Sequence, residues 1–177
     1  MKKIITMAGS NSQRSINKSL INYTSSLLEN EEVISIDLND YVLPFYSVDF
    51  EEENAIPTTV KKLDRLFNSA DGFIISLAEH NGSYTAVFKN TIDWLSRINM
   101  KLWREKPMLL MATSPGSRGG ASVLQSASAY FPYMGACITD TFSLPSFYEN
   151  FKNGEINDNY FKEDIYNKVN KFKTIIK

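Results

Sequence analysis

The feature that most constrains this chain is a rhythm. Short apolar runs alternate with stretches whose apolar residues recur every three or four positions. The runs at residues 4–8, 33–38, 73–77, 108–112 and 137–144 have strand length, and the one at 73–77 is apolar nearly throughout, as a strand covered on both faces must be. Helical spacing appears in Ile16, Leu20, Tyr23, Leu27 and Leu28, and again in Val60, Leu63, Leu66 and Phe67 behind Pro57. It returns in Phe88, Ile92, Leu95 and Ile98, in Val123, Leu124, Ala127 and Phe131, and in Phe161, Ile165, Val169, Phe172 and Ile176. Five strands alternating with five helices predict a doubly wound α/β sheet, made parallel by right-handed crossovers. Residues 39–56, with Pro44 and a Glu51-Glu52-Glu53 run, read as a loop, and residues 79–83 as a polar turn. Residues 145–159 read as an irregular excursion before the last helix.

Composition removes several function classes. The 177 residues suit one domain, expected to bury roughly 70% of the surface of its unfolded chain. Nineteen basic against 20 acidic side chains supply no field for nucleic acid or an anionic membrane. With one cysteine, Cys137, and one histidine, His80, no intramolecular disulfide and no ordinary zinc site can form within one chain. Every Ser–His or Cys–His nucleophile would run through His80, so the reactive chemistry is expected to come from something other than side chains. Cys137 reads as a small buried apolar residue of the last strand. The apolar stretch after Lys2 and Lys3 ends after about five residues, short of a signal-peptide core, and no run approaches the ~18 residues of a membrane span. A soluble protein of the reducing cytoplasm is expected.

In an open parallel sheet, ligands bind beyond the carboxyl ends of the strands, so the loops after the first, third and fourth strands matter most. The first reads Gly9-Ser10-Asn11-Ser12-Gln13-Arg14-Ser15-Ile16-Asn17 and runs straight into a helix. Hydroxyls, amides and free helix N–H groups there make either a phosphate cradle or a turn with a plain Ser15 cap. It is neither a Walker A loop nor a dinucleotide fingerprint, having one glycine and no closing lysine. The second loop, Ala78-Glu79-His80-Asn81-Gly82-Ser83-Tyr84, holds an Asn-Gly pair that readily takes positive φ and presents backbone N–H groups. It is either a ligand edge, with His80 as wall, or a plain connection capped at Ser83 or Thr85. The third, Thr113-Ser114-Pro115-Gly116-Ser117-Arg118-Gly119-Gly120, is either a close-approach loop or a flexible one with a surface arginine. The three support one another, because one small-molecule site would need all of them.

These residues resemble the NADPH-dependent FMN reductase family of flavodoxin-like proteins. Gly9-Ser10 with Ser15-Ile16-Asn17 is similar to the family signature G-S-x-R-x-x-S-x-N, and Glu79-His80-Asn81-Gly82-Ser83 through Phe88-Lys89-Asn90-Thr91-Ile92-Asp93-Trp94 to P-E-Y-N-x-S…K-N-x-x-D-W. Ser114-Pro115-Gly116 with Gly119-Gly120 is similar to the third, glycine-bearing loop. Ser12 stands at the family's arginine position, with Arg14 two residues on, and Ala78 and His80 stand where the family has proline and tyrosine. The resemblance implies one flavodoxin-like three-layer α/β/α domain over residues 1–177, with a five-stranded parallel sheet. It implies FMN bound by Ser10, Ser12, Arg14, Ser15, Ile16 and Asn17, by Glu79, His80, Asn81, Gly82 and Ser83, and by Ser114, Pro115, Gly116 and Gly119. NADPH or NADH is the implied donor, and a flavin, quinone, azo or nitro compound the implied acceptor, with no catalytic side chain and no metal. It further implies a homodimer or homotetramer, to which Trp94, Trp103, Tyr130, Phe131 and Tyr133 would offer aromatic surface, although a buried core explains most of them. An FMN-binding electron carrier or redox sensor without NAD(P)H turnover is one alternative, and a flavodoxin-like scaffold that has lost its cofactor, suggested by Ser12, Ala78 and His80, is another. Carriers of this fold are commonly strongly acidic, and the near-neutral charge favours the reductase.

Overall fold

The computed structural model describes residues 1–176. The apolar runs become β1 (Lys3–Gly9), β2 (Glu32–Ile36), β3 (Gly72–Leu77), β6 (Lys106–Thr113) and β7 (Ala136–Leu144), all parallel, in the order β2-β1-β3-β6-β7. The short strands β4 (Glu79–His80) with β5 (Ser83–Tyr84), and β8 (Phe151–Lys152) with β9 (Glu155–Ile156), form two antiparallel hairpins outside this sheet. The amphipathic stretches become α1 (Ile16–Ser26), α3 (Thr58–Asn68), α4 (Ala86–Ile98), α5 (Ala121–Tyr130) and α7 (Asn159–Ile175).

Because Cβ atoms alternate along a strand, each strand feeds two cores. Ile5, Met7, Phe73, Ile75, Leu77, Met108 and Leu110 meet α3, α4 and α5 through Val60, Leu63, Phe67, Phe88, Trp94 and Phe131. On the opposite face Ile4, Ile74, Leu109 and Met111 meet α1 and α7 through Leu20, Ile21, Ile165, Val169 and Phe172. Helices on both faces explain the unbroken burial of β3. The order places β1 next to both β2 and β3, so the chain winds outward in opposite directions on either side of β1. This reversal opens a crevice at the carboxyl ends of the strands.

Four expectations need correction. Residues 39–56 contain α2 (Val48–Asn54), whose Ser47 hydroxyl accepts from the Phe50 N–H at 3.1 Å. None of its residues is buried, so it carries no apolar stripe to announce it. The polar turn at 79–83 is the β4–β5 hairpin, and residues 145–159 fold into α6 (Phe147–Asn150) and the β8–β9 hairpin. Cys137 is exposed, because β7 is an edge strand and this residue lies at its start, with Sγ 3.3 Å from the Glu105 carbonyl. The aromatic group divides as a buried core would have it: Trp94, Trp103 and Phe131 are core residues, leaving Tyr130 and Tyr133 exposed.

Candidate functional site

The loops after β1, β3 and β6 lie together at the crevice, and named side chains bolt each to the next. Ser15 caps α1, its hydroxyl accepting from the Lys18 N–H at 3.2 Å, while the N–H groups of Ile16 and Asn17 have no acceptor within the helix. Ser10 steadies the turn before it by accepting from the Ser12 N–H at 3.1 Å. Arg14 is exposed and makes no ion pair among the described residues. Lys18 pairs instead with Asp37, and its hydrogen bond holds that carboxyl below the usual carboxylate range. An N-terminal helix end with an unpaired guanidinium beside it is a place for an anion.

Asn17 does something different from its neighbours. It is 1% exposed, and both ends of its amide are hydrogen-bonded inside the protein. Oδ1 accepts from Ser76 Oγ at 2.7 Å and from the Thr113 N–H at 3.1 Å, and Nδ2 donates to the Thr113 carbonyl at 3.1 Å. One side chain thus ties the start of α1 to the ends of β3 and β6. Asn17 can offer a ligand its backbone N–H, while its side chain fixes where that N–H points.

In the second loop, Asn81 and Gly82 take φ of 52° and 76°, the twist a two-residue hairpin turn requires, and His80 pairs with Ser83. Two contacts anchor the hairpin base. Thr85 Oγ1 donates to the Gly9 carbonyl at 2.8 Å and accepts from the Phe88 N–H at 3.3 Å, capping α4 on the end of β1. Glu79 Oε2 accepts from the Val123 N–H at 2.9 Å. The α5 cap position is Gly120, which has no side chain to serve its own helix, so the carboxylate of the hairpin supplies the missing acceptor.

The third loop is held from behind. The Gly116 carbonyl accepts from the Gly119 and Ser146 N–H groups at 3.2 and 2.9 Å, and the Ser114 carbonyl from the Phe147 N–H at 3.1 Å. Gly119 takes φ 58°, and a Cβ there would run into Ser143 Oγ and lie 2.9 Å from the Pro145 nitrogen, colliding with the chain leaving β7. Its freedom serves this packing and not the crevice. The same clamp carries α6 to the crevice and sets Tyr148 at its rim.

Two cavities result, with His80 in the wall of both. One, of about 220 Å³, is lined by Ser10, Ser12, Arg14, Ser15, Ile16 and Asn17 from the first loop, Ala78, Glu79 and His80 from the second, Thr113, Ser114 and Pro115 from the third, and Tyr148. Asn81, Gly82, Ser83, Gly116 and Gly119 do not line it. Sequence reading missed Thr113 and Tyr148 as lining residues and passed over Ala78. Thr113 and Ala78 directly adjoin residues it chose, but only the fold brings Tyr148 there. The second cavity, of about 340 Å³, lies between the first loop, residues 38–45 and the start of α4.

A sequence model of the NADPH-dependent FMN reductase family matches residues 2–149. The chain belongs to that family. Among relatives, a 2-hydroxy-1,4-benzoquinone reductase of a Burkholderia species is 34% identical over 133 residues, 72% of this chain and 70% of that one. A quinone reductase of Escherichia coli K12 is 39% identical over 79 residues, and this match spans only 45% of this chain and 42% of the relative. Among solved structures, FerB from Paracoccus denitrificans, a flavoenzyme NAD(P)H:(acceptor) oxidoreductase, superposes with a TM-score of 0.80 at 26% identity, covering 99% of this chain and 97% of that one.

Proposed function

We propose that this protein is an FMN-dependent NAD(P)H oxidoreductase that reduces a small acceptor. The observation that carries the reading is the 220 Å³ cavity, where unpaired N–H groups of α1, the hydroxyls of Ser10 and Ser12 and the free guanidinium of Arg14 meet the hairpin and the third loop. That donor set fits a phosphate dianion, the end of FMN that most needs charge compensation. The hairpin offers a rigid edge with outward backbone around Asn81, Gly82 and Ser83, suited to the rim of a flat heterocycle. Ser114, Pro115 and Gly116 would form its other border. FMN supplies the redox chemistry, accepting hydride from a nicotinamide and passing electrons on.

The residues of this chain then have positional and electrostatic tasks. Arg14 and the α1 N-terminus hold the phosphate. Asn17, Thr85 and Glu79 keep the three loops at fixed separations, so donors aimed at the flavin edge need no reorganisation as charge accumulates there. His80 would wall the cofactor on the side facing the second cavity. No nucleophile or general base is needed.

The same reading includes one domain over residues 1–177, a cytoplasmic location and a homodimer. Support for the dimer comes from exposed Met100, Tyr130 and Tyr133, which border a hollow of about 340 Å³ with Tyr84 and Ile92. The test is spectroscopic. Protein purified with FMN should be yellow and retain stoichiometric cofactor through gel filtration, and anaerobic NADPH or NADH should bleach it. A colourless protein that takes up no FMN refutes the reading. A yellow protein that neither nucleotide bleaches is a carrier.

A further inference from the structure

A third hollow, read here on the basis of the flavin assignment, continues the site beyond its phosphate end. It is a groove of about 570 Å³ between α1 and α6, and it shares Arg14, Ser15, Ile16 and Tyr148 with the 220 Å³ cavity. Its volume is that of a small-molecule site, ~300–1,000 Å³. Arg14, Lys18 and Asn22 line the α1 side, and no aspartate or glutamate among the described residues lines the groove. Those cations are badly placed for the helix itself. A helix N-terminus carries partial positive charge, which acidic residues in the first turn ordinarily offset, and α1 has none there. Asp37 compensates Lys18 from outside the groove, and Arg14 has no such partner. Two cations at a positive helix end, with free space before them, suit an anion of more than one phosphate.

The opposite wall is aromatic. Phe147 is 5% exposed and stacks on Phe151 with ring centroids 4.7 Å apart. Tyr148 meets Phe147 edge-on, with centroids 5.5 Å apart, and is itself 66% exposed. The backbone bonds from Ser146 and Phe147 to the third loop fix the base on which this ring stands. A ring held in place yet mostly in water is a platform on which a flat heterocyclic base can stack.

We propose that the groove takes the adenylate half of flavin adenine dinucleotide, so that the protein binds FAD as well as FMN. The flavin and its first phosphate belong to the 220 Å³ cavity. Arg14, common to both hollows, serves both phosphates, Lys18 serves the second, and Tyr148 stacks on the adenine.

A pyridine dinucleotide carries the same adenylate chemistry, so the test has three titrations. FMN and FAD are titrated calorimetrically into flavin-free protein, and NADP⁺ into protein loaded with FMN. The parent should bind FAD with a Kd within about fivefold of that for FMN. Asn22 is exposed and lies two helical turns beyond Ser15, ~10 Å along the axis and about a Debye length in 0.1 M salt. A charge placed there reaches the groove and hardly touches the FMN phosphate. Asn22→Lys should therefore bind FAD about fivefold more tightly than Asn22→Glu, while their FMN affinities differ by less than about twofold. Both variants should melt with the parent. FAD bound more than about fivefold more weakly than FMN, or an Asn22 charge that moves FMN as much as FAD, overturns the proposal. An Asn22 charge that moves NADP⁺ and leaves FAD unchanged assigns the groove to the nicotinamide donor and overturns it as well. If the parent binds neither flavin, the flavin reading itself fails and takes the proposal with it.

Discussion

Replacing Asn17 by alanine separates two roles that look alike in sequence. If the amide touches the cofactor, its loss weakens FMN and leaves the empty protein alone. The geometry predicts the opposite. Asn17→Ala strips partners from Ser76 Oγ, from the Thr113 N–H and from the Thr113 carbonyl, all within a buried region. A buried polar group left unsatisfied costs about 1–3 kcal/mol. The carbonyl has a second lone pair and the Ser76 hydroxyl can rotate, so the lower half of that range applies, and the sum over the three groups is about 3–6 kcal/mol. For a chain of this size that lowers the midpoint of thermal unfolding by about 6–24 °C. The assay is urea and thermal unfolding of FMN-free protein, followed by the same measurement with FMN at a series of concentrations, so that linkage separates affinity from intrinsic stability. Asn17→Asp is a useful companion. It keeps both acceptor roles but sets an oxygen against the Thr113 carbonyl, and should destabilise at least as much as alanine. An Asn17→Ala protein within about 0.5 kcal/mol of the parent when empty, the spread of an ordinary surface substitution, would refute the reasoning.

Other outcomes are more modest. Arg14→Ala should weaken FMN binding by about fivefold at low ionic strength, with the difference shrinking in 1 M salt as screening replaces the lost cation; titration of FMN fluorescence would show it, and an unchanged Kd contradicts the assigned role. Glu79→Ala should cost about 1 kcal/mol through loss of the α5 cap, and Glu79→Gln, which keeps an acceptor, should recover part of it in urea unfolding. Burial, with a smaller contribution from Tyr130, pushes the Tyr84 phenol up to about 12. The folded state thus holds this proton more tightly than the unfolded chain, whose tyrosines titrate near 10. Its contribution is intact below pH 10 and is lost as pH rises from about 10 to 12. Tyr84→Phe should flatten that alkaline decline in stability, and an unaltered slope would count against it.

Periodicity carried most of the fold. The strands and the five amphipathic helices were legible because both faces of the sheet demand apolar side chains at spacings that only those elements satisfy. The turn at Asn81 and Gly82 and the cap at Thr85 were legible for a local reason, since their conformations are set by the residues themselves. α2 was not, because a helix lying on the surface leaves no stripe. Cys137 misled because an edge strand buries less than its residue types suggest. In the site, residues chosen from all three loops meet around one cavity, and two of them also carry structural bonds that their residue types do not announce: Asn17 to Thr113 and Glu79 to Val123. Tyr148 gave no signal, since it arrives through backbone bonds from Ser146 and Phe147 to Gly116 and Ser114.

The Asn17 bolt also bears on the order in which the molecule is assembled. Its partners lie 59 and 96 positions further along the chain. Loop-closure entropy makes such distant pairings late events, formed once the strands that carry them have docked. During synthesis, residues 10–17 leave the ribosome early but can fasten only to Ser76 of β3, and lack both Thr113 bonds, until β6 emerges and joins the sheet. A chain stopped short of Thr113 would possess the whole first loop and still lack the means to set its geometry. Uptake of a ligand at that loop therefore reports completion of the central sheet, and a pulse of FMN during refolding would time the docking of β6.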